Sequence, residues 1–237
     1  MATLWEYLWS GSAVTLWLYH MNWVETDSSW NSRDFTATNE TWVEDGLAGA
    51  MSSNWSTTTC RNAAQALSAG NTPYTILFRV KLNAEITTGT WGFVQLNPDA
   101  TLQDTTYVLE YNYNGWTRRL NYQHYYNRSP DIYHTITYNI ALWTTNWYDI
   151  AMVYTGSAMT LYVNWVSVVT GWGTGTYWNN WPATYQSWLS FLHEYILSAV
   201  ASRANARGDE LIFENRAWTA KEIQRQYTNT KWRFAAL

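Results

Sequence analysis

The chain has 237 residues, 47% of them hydrophobic and only 14% charged, with a net charge of −4 and a single cysteine, Cys60. Such a length and apolar content suit one large domain with a substantial core. The scattered basic residues exclude a nucleic-acid footprint. One cysteine excludes an intrachain disulfide and any zinc site built on two or four cysteines, and no apolar run is long enough to span a membrane.

Residues 1–21 contain Glu6 and no Lys or Arg, so they lack the basic start of a signal peptide. Ala13–Met21 (AVTLWLYHM) reads as the first strand, Asn22–Asn31 as a loop and Asp34–Thr38 as a strand. Thr41-Trp42-Val43 leads into Asp45–Met51, and Ser52–Thr59 is a polar loop and edge strand. Tyr74–Leu82 (YTILFRVKL) alternates as a core strand. Trp91–Leu96 and Thr106–Tyr113 are the next two strands, joined through the turn residues Asn97-Pro98-Asp99. Thr117–Tyr125 and Ile132–Ala141 are rich in Tyr and Thr, which gives strands with polar outer faces.

Trp147–Thr170 (WYDIAMVYTGSAMTLYVNWVSVVT) is the most organised stretch. Trp147–Tyr154, Ala158–Val163 and Val166–Thr170 are three short strands separated by Thr155-Gly156-Ser157 and by Asn164-Trp165. Strands so close together make an antiparallel meander, which points to an all-β sandwich or barrel. Gly171–Asn180 is a Gly-rich loop. Trp188–Val200 is ambiguous between helix and strand, and the favoured reading is an apolar segment entering a strand at Leu197–Ser202. Gly208–Asn215 is the last strand. Thr219 with Glu222 three residues later makes a capping box for a helix over Ala220–Thr228, with Ile223 and Tyr227 on its packed side.

The hairpin W-Y-x-I-A-M-V-Y-x-G-S-x-M-T-L-Y-V-N-x-V resembles the central hairpin of laminin-G-like, concanavalin A-like jelly rolls. Asp209–Ala217 followed by Thr219–Ile223 resembles that family's closing strand and short helix, and Asp27-Ser28-Ser29-Trp30-Asn31 is similar to its D-S-S-G-N loop. The three matches span most of the chain in family order. They imply an all-β, two-sheet antiparallel jelly-roll sandwich of about a dozen strands with a short C-terminal helix. One domain then covers residues 1–237: sandwich 12–216, helix 219–229, tail 231–237. The resemblance also implies that Asp209–Glu214 lies beside Thr15–His20, with Leu211 and Phe213 sharing a face. The helix is expected over the sandwich edge. The fold hosts lectins, adhesion modules and glycosidases alike, so it implies no single activity.

Eighteen tryptophans against twelve glycines is an unusual balance. Asn164-Trp165 joins two strands with two residues, a link that favours positive φ at both positions and hence Asn-Gly. The resemblance places glycine at Trp165, Trp30, Trp23 and Trp55. Four such positions point to a code effect, in which a UGA codon read as glycine in the source is written as tryptophan; a naturally Trp-rich binding surface is the other reading. Trp42, Trp91 and Trp147 read as tryptophan either way.

Candidate chemistry is sparse. Jelly-roll glycosidases need two facing carboxylates about 5–9 Å apart; Glu110 stands alone on its strand and Asp209-Glu210 are adjacent, so no enzyme is expected. His20, His124, His134 and His193 lack metal-ligand spacing. No cofactor is required. The resemblance allows one Ca2+ at the sandwich rim, with Asp27, Asp45, Asp99 and Asp104 as candidate ligands, although Asp in turns ordinarily caps backbone N–H groups. Aromatics among amides carry the best signal, because sugar rings stack on aromatic faces while Asn bonds their hydroxyls. The candidate ligand-binding residues are Trp116, Tyr125, Tyr126, Asn127, Tyr177, Trp178, Asn179, Asn180 and Trp181. The function expected is a non-catalytic surface recognition or adhesion module that binds a glycan or a surface protein. The alternative is a structural or display protein of a virion, filament or cell surface acting through self-assembly. Its expected location is extracellular, on a cell surface or in a virion, with no nucleic acid and no membrane insertion.

Overall fold

A computed structural model describes residues 15–19, 36–45, 48–54, 59–63, 73–97, 107–128, 131–172, 188–196 and 199–230. Two antiparallel sheets pack face to face. Sheet I has the order β13-β12-β11-β6-β17-β4-β3, with β1 also pairing β17. Its strands are β1 (Thr15–Tyr19), β3 (Thr41–Asp45), β4 (Ala48–Ser53), β6 (Tyr74–Leu82), β11 (Tyr148–Tyr154), β12 (Ala158–Val163), β13 (Val166–Trp172) and β17 (Ala206–Glu214). Sheet II has the order β10-β9-β8-β7-β14-β5-β2. It comprises β2 (Thr36–Thr38), β5 (Thr59–Ala63), β7 (Gly89–Asn97), β8 (Tyr107–Asn114), β9 (Thr117–Arg128), β10 (Asp131–Asn139) and β14 (Trp188–Phe191). A separate hairpin, β15 (His193–Ile196) and β16 (Ala199–Arg203), and one helix, α1 (Ala220–Thr230), complete the described elements.

The all-β sandwich with a terminal helix is therefore the observed fold. Seventeen strands are described against the expected dozen; β16 stands close to the strand expected at Leu197–Ser202, while Trp188–Ile196 ahead of it forms two short strands. Leu192 takes φ 58° and breaks that stretch into β14 and β15. The Leu192 N–H then donates to the Phe93 carbonyl, and Ala204 N–H donates to Leu192.

Strand alternation builds the core. Ile76, Phe78 and Val80 of β6, Ile150, Met152 and Tyr154 of β11, and Leu211 and Phe213 of β17 face Phe93, Leu109, Tyr111, Leu120 and Tyr122 of sheet II. Phe78 meets Phe93 and Phe191 edge to face. Gly208 lets β14 come close, since a Cβ there would lie 2.5 Å from the Phe191 ring. The register Trp17↔Phe213, Leu18↔Ile212 and Tyr19↔Leu211 puts the closing strand beside the first one. Ile212 faces the other way, into a second apolar cluster with Leu77, Ala151, Val153, Trp218 and Ile223.

That second cluster is where α1 sits. The helix covers the outer face of sheet I rather than the sandwich edge, because β6, β11 and β17 present Leu77, Ala151, Val153 and Ile212 there. Its buried residues are Ile223, Gln226 and Thr230, and Tyr227 is only half-buried. The capping box closes as its sequence requires: Glu222 N–H donates to Thr219 Oγ1 at 3.3 Å, and Thr219 N–H donates to Glu222 Oε2 at 2.7 Å. Residues 231–237, 12–14 and 20 lie outside the described residues.

His124 lies inside the core, edge-on to the rings of Tyr154 at 4.4 Å and Tyr74 at 5.7 Å between centroids. Burial, aided by His134, lowers its pKa from the ordinary 6.5 to about 3. The folded state therefore resists a proton that the unfolded chain accepts. Its contribution to stability is full above pH 6.5 and is lost as pH falls toward 3, at up to about 1.4 kcal/mol per pH unit. Asp149 runs the other way: burial raises its pKa from 3.8 to about 6, so its contribution falls as pH rises between those values. Urea melts at stepped pH should accordingly show that His124→Phe flattens the acid slope relative to the parent; an unchanged slope would place the titration elsewhere.

Candidate functional site

Leu109 and Tyr111, Leu120 and Tyr122, Ile136, Leu189 and Phe191 all face the core. Alternation therefore turns Val108, Glu110 and Asn112, Asn121 and Gln123, Thr135 and Thr137, and Ser190 to the outer face of sheet II. Register sets them in rows. Ser190 stands opposite Gln95, Gln95 opposite Val108, Val108 opposite Gln123 and Gln123 opposite Thr135. In the next row Gly92 faces Glu110, Glu110 faces Asn121 and Asn121 faces Thr137.

The rows are joined by hydrogen bonds. Gln123 Nε2 donates to Glu110 Oε2 at 3.0 Å, and Thr137 Oγ1 donates to Asn121 Oδ1 at 3.2 Å. Asn112 Nδ2 donates to Thr90 Oγ1 at 2.6 Å. Burial raises the Glu110 pKa, while bonds from Asn121 and Gln123 and the charge of Arg119 hold it down. The face is graded: Ser190 and Gln95 are buried, Glu110 and Gln123 half-buried, Thr135 and Thr137 exposed. Gly92 offers no side chain beside Glu110, so the carboxylate has no cross-strand neighbour on its β7 side. Asn121 and Val108 are buried too, so the groups that reach the surface are the Glu110 carboxylate, the Asn112 and Gln123 amides and the Thr135 and Thr137 hydroxyls. Together these can bond several hydroxyls of one ligand.

A second feature lies at one end of the sandwich. Arg118, at the start of β9, donates to Glu85 and to the Ile86 carbonyl, and its own carbonyl accepts from Ile140 N–H. The turns after β8, β10 and β12 therefore gather at this end, since Trp143 N–H also donates to the Tyr148 hydroxyl and Asn164 N–H to the Asp149 carbonyl. Trp116, Trp143 and Trp165 are exposed there.

Among the described residues, Trp116 is not brought together with Tyr125, Tyr126 and Asn127. Trp116 occupies the β8–β9 turn. Tyr125, Tyr126 and Asn127 lie in the last third of β9. At about 3.3 Å per residue this is roughly 30 Å away along the strand. Tyr177, Trp178, Asn179, Asn180 and Trp181 lie outside the described residues, as do Asp27, Asp99 and Asp104. Asp45 ends β3. No group of three or more His, Cys, Asp or Glu that could hold a metal occurs among the described residues, and no helix among them is long and apolar enough to cross a membrane. Glu110 stands out in the sequence, but its partners Asn121 and Gln123 come from β9 and are identified only by register.

No protein-family model and no curated protein matches the sequence. Solved structures share the fold. Domain 4 of an extracellular GH43 arabinanase from Geobacillus stearothermophilus, in complex with arabinotriose, is 16% identical with a TM-score of 0.61, over 89% of this chain and 97% of that one. The receptor-binding domain of botulinum neurotoxin D is 8% identical with a TM-score of 0.68, over 91% and 52%. A structure of botulinum neurotoxin type C, whose cell entry depends on interaction with two ganglioside molecules, is 10% identical with a TM-score of 0.65, over 91% and 51%. The chain thus spans about half the length of the toxin structures. At these identities the likeness shows the jelly-roll sandwich.

Proposed function

We propose that this chain is a non-catalytic recognition module, acting outside the cell, that binds a glycan on the outer face of sheet II. The observation that carries the reading is the hydrogen-bonded array of Glu110, Gln123, Asn121 and Thr137 on one face of the sheet. Vicinal sugar hydroxyls both donate and accept, which suits a carboxylate flanked by amides. The arabinotriose-bound domain of the same fold is consistent with this class of ligand. Recognition rather than hydrolysis is favoured because, among the described residues of β7–β10, the other carboxylate is Asp131. Asp131 lies six residues along β10 from Thr137, roughly 20 Å away. A glycosidase needs its two carboxylates far closer.

A glycan array, run with and without calcium, should yield a bound oligosaccharide. In titration calorimetry Glu110→Ala and Gln123→Ala should each weaken that binding by about tenfold or more, roughly 1.4 kcal/mol, with the melting temperature little changed. Binding untouched by both substitutions would remove this face from the reading. An empty array, with light scattering showing large assemblies, would favour the self-assembly alternative.

A further inference from the structure

Two hairpins whose turn residues are described turn on two residues each. Asn114 pairs with Thr117 around Gly115-Trp116, and Val163 pairs with Val166 around Asn164-Trp165. In both, the two central residues have positive φ: 59° and 111° in the first, 48° and 67° in the second. This is the primed-turn geometry whose twist matches the flanking strands, and glycine is the residue it favours at the second position.

Neither tryptophan at these positions is buried, so core packing does not offset the strain. Trp116 is 93% exposed and Trp165 is 42% exposed. The other non-glycine residues in the left-handed region have φ between 48° and 58°, and two of the four, Asn39 and Asn164, are asparagines, which tolerate it. Trp116, at 111°, lies beyond the range that residues with a Cβ ordinarily occupy. By contrast Trp42 and Trp91 are half-buried in strands and pack on the core, and Trp218 is buried with its indole N–H donating to Glu214 Oε2. Trp42, Trp91 and Trp218 thus pack without positive φ, whereas Trp116 and Trp165 hold positive φ at the second position of tight turns.

We propose that residues 116 and 165 are glycine in the protein as its own ribosomes make it, encoded by UGA codons that the source reads as glycine. Trp165 is also a glycine position by family resemblance, whereas Trp116 is marked by its backbone alone. Trp23, Trp30 and Trp55 lie outside the described residues. A consequence is that Trp116 leaves the set of sugar-stacking candidates. Glu110, Gln123, Asn121 and Thr137 all lie outside the two turns, so the glycan reading stands or falls separately.

Peptide mass spectrometry of protein from its native source should show the peptides covering residues 116 and 165 lighter by the difference between a tryptophan and a glycine residue, while those covering Trp42, Trp91 and Trp218 keep the tryptophan mass. In recombinant protein Trp116→Gly and Trp165→Gly should each raise the melting temperature by about 2–4 °C, and Trp91→Gly should lower it. Native peptides with tryptophan mass at both positions would overturn the proposal. A glycine variant no more stable than the tryptophan chain would remove its physical basis at that turn.

Discussion

Arg79→Leu should lower the unfolding free energy by about 3–5 kcal/mol, the usual cost of stripping one partner from a buried ion pair. Arg79 is 3% exposed on the outer face of β6, beneath α1. Its Nη2 lies 3.1 Å from Asp149 Oδ2 on β11, and its Nη1 donates at 2.8 Å to the carbonyl of Thr230 in the last turn of the helix. Asp209 of β17 stands opposite it on the other flanking strand. Burial lowers the guanidinium pKa while Asp149 and Asp209 raise it, so two neighbouring strands supply the charge that keeps it in place. A cation at the negative end of a helix dipole adds to this. Removing Arg79 leaves Asp149, Asp209 and the helix terminus facing one another under α1. Chemical denaturation of the single variant and of Arg79→Leu/Asp149→Leu gives the test. The double variant should recover part of the loss, since an apolar pair replaces the ion pair while Asp209 stays buried. A single variant as stable as the parent would show that the helix is held without the arginine.

Phe213→Ala should cost a similar amount, about 3–5 kcal/mol. Phe213 is 3% exposed, and its ring sits 6.3 Å from that of Tyr74 at the centroid. It lies in the strand that joins β1 to β6, so the cavity opens where the first and last described strands meet. Equilibrium unfolding in urea should show the midpoint fall with the slope unchanged. A parent-like midpoint would mean that neighbouring side chains fill the space completely.

The parts of this fold that were legible in the sequence are those that short-range rules decide. β11–β13 alternate over six or seven residues and turn within two or three, so their pairing could follow from spacing alone. Thr219 and Glu222 announce the helix because a capping box is complete within four residues. Long-range register was not legible. Nothing near Glu110 indicates that Gln123 and Asn121 will stand beside it, since that depends on the β8–β9 turn and on pairing across a whole strand. Asp209 and Glu210 look like an ordinary alternating pair, yet both are fully buried, with Glu210 at φ 53° and the β6 register shifted between Asp209 and Ile212. The capping box gives the helix but not its seat on the outer face of sheet I, because Ile212 reads simply as apolar and only the packed sheet shows that it faces outward.

β17 also sets the order in which the chain can become a protein. Along one edge it pairs with β6; along the other its first half pairs with β4 and its second half with β1. It is the last of the described strands to leave the ribosome, and its partners are among the earliest. Until residue 214 is synthesised, the β3–β4 hairpin and β1 lack the strand that ties them to β6. Contacts this distant in sequence make folding slow. The nascent chain must therefore carry open strand edges through most of its synthesis, a state in which β-proteins are prone to aggregate.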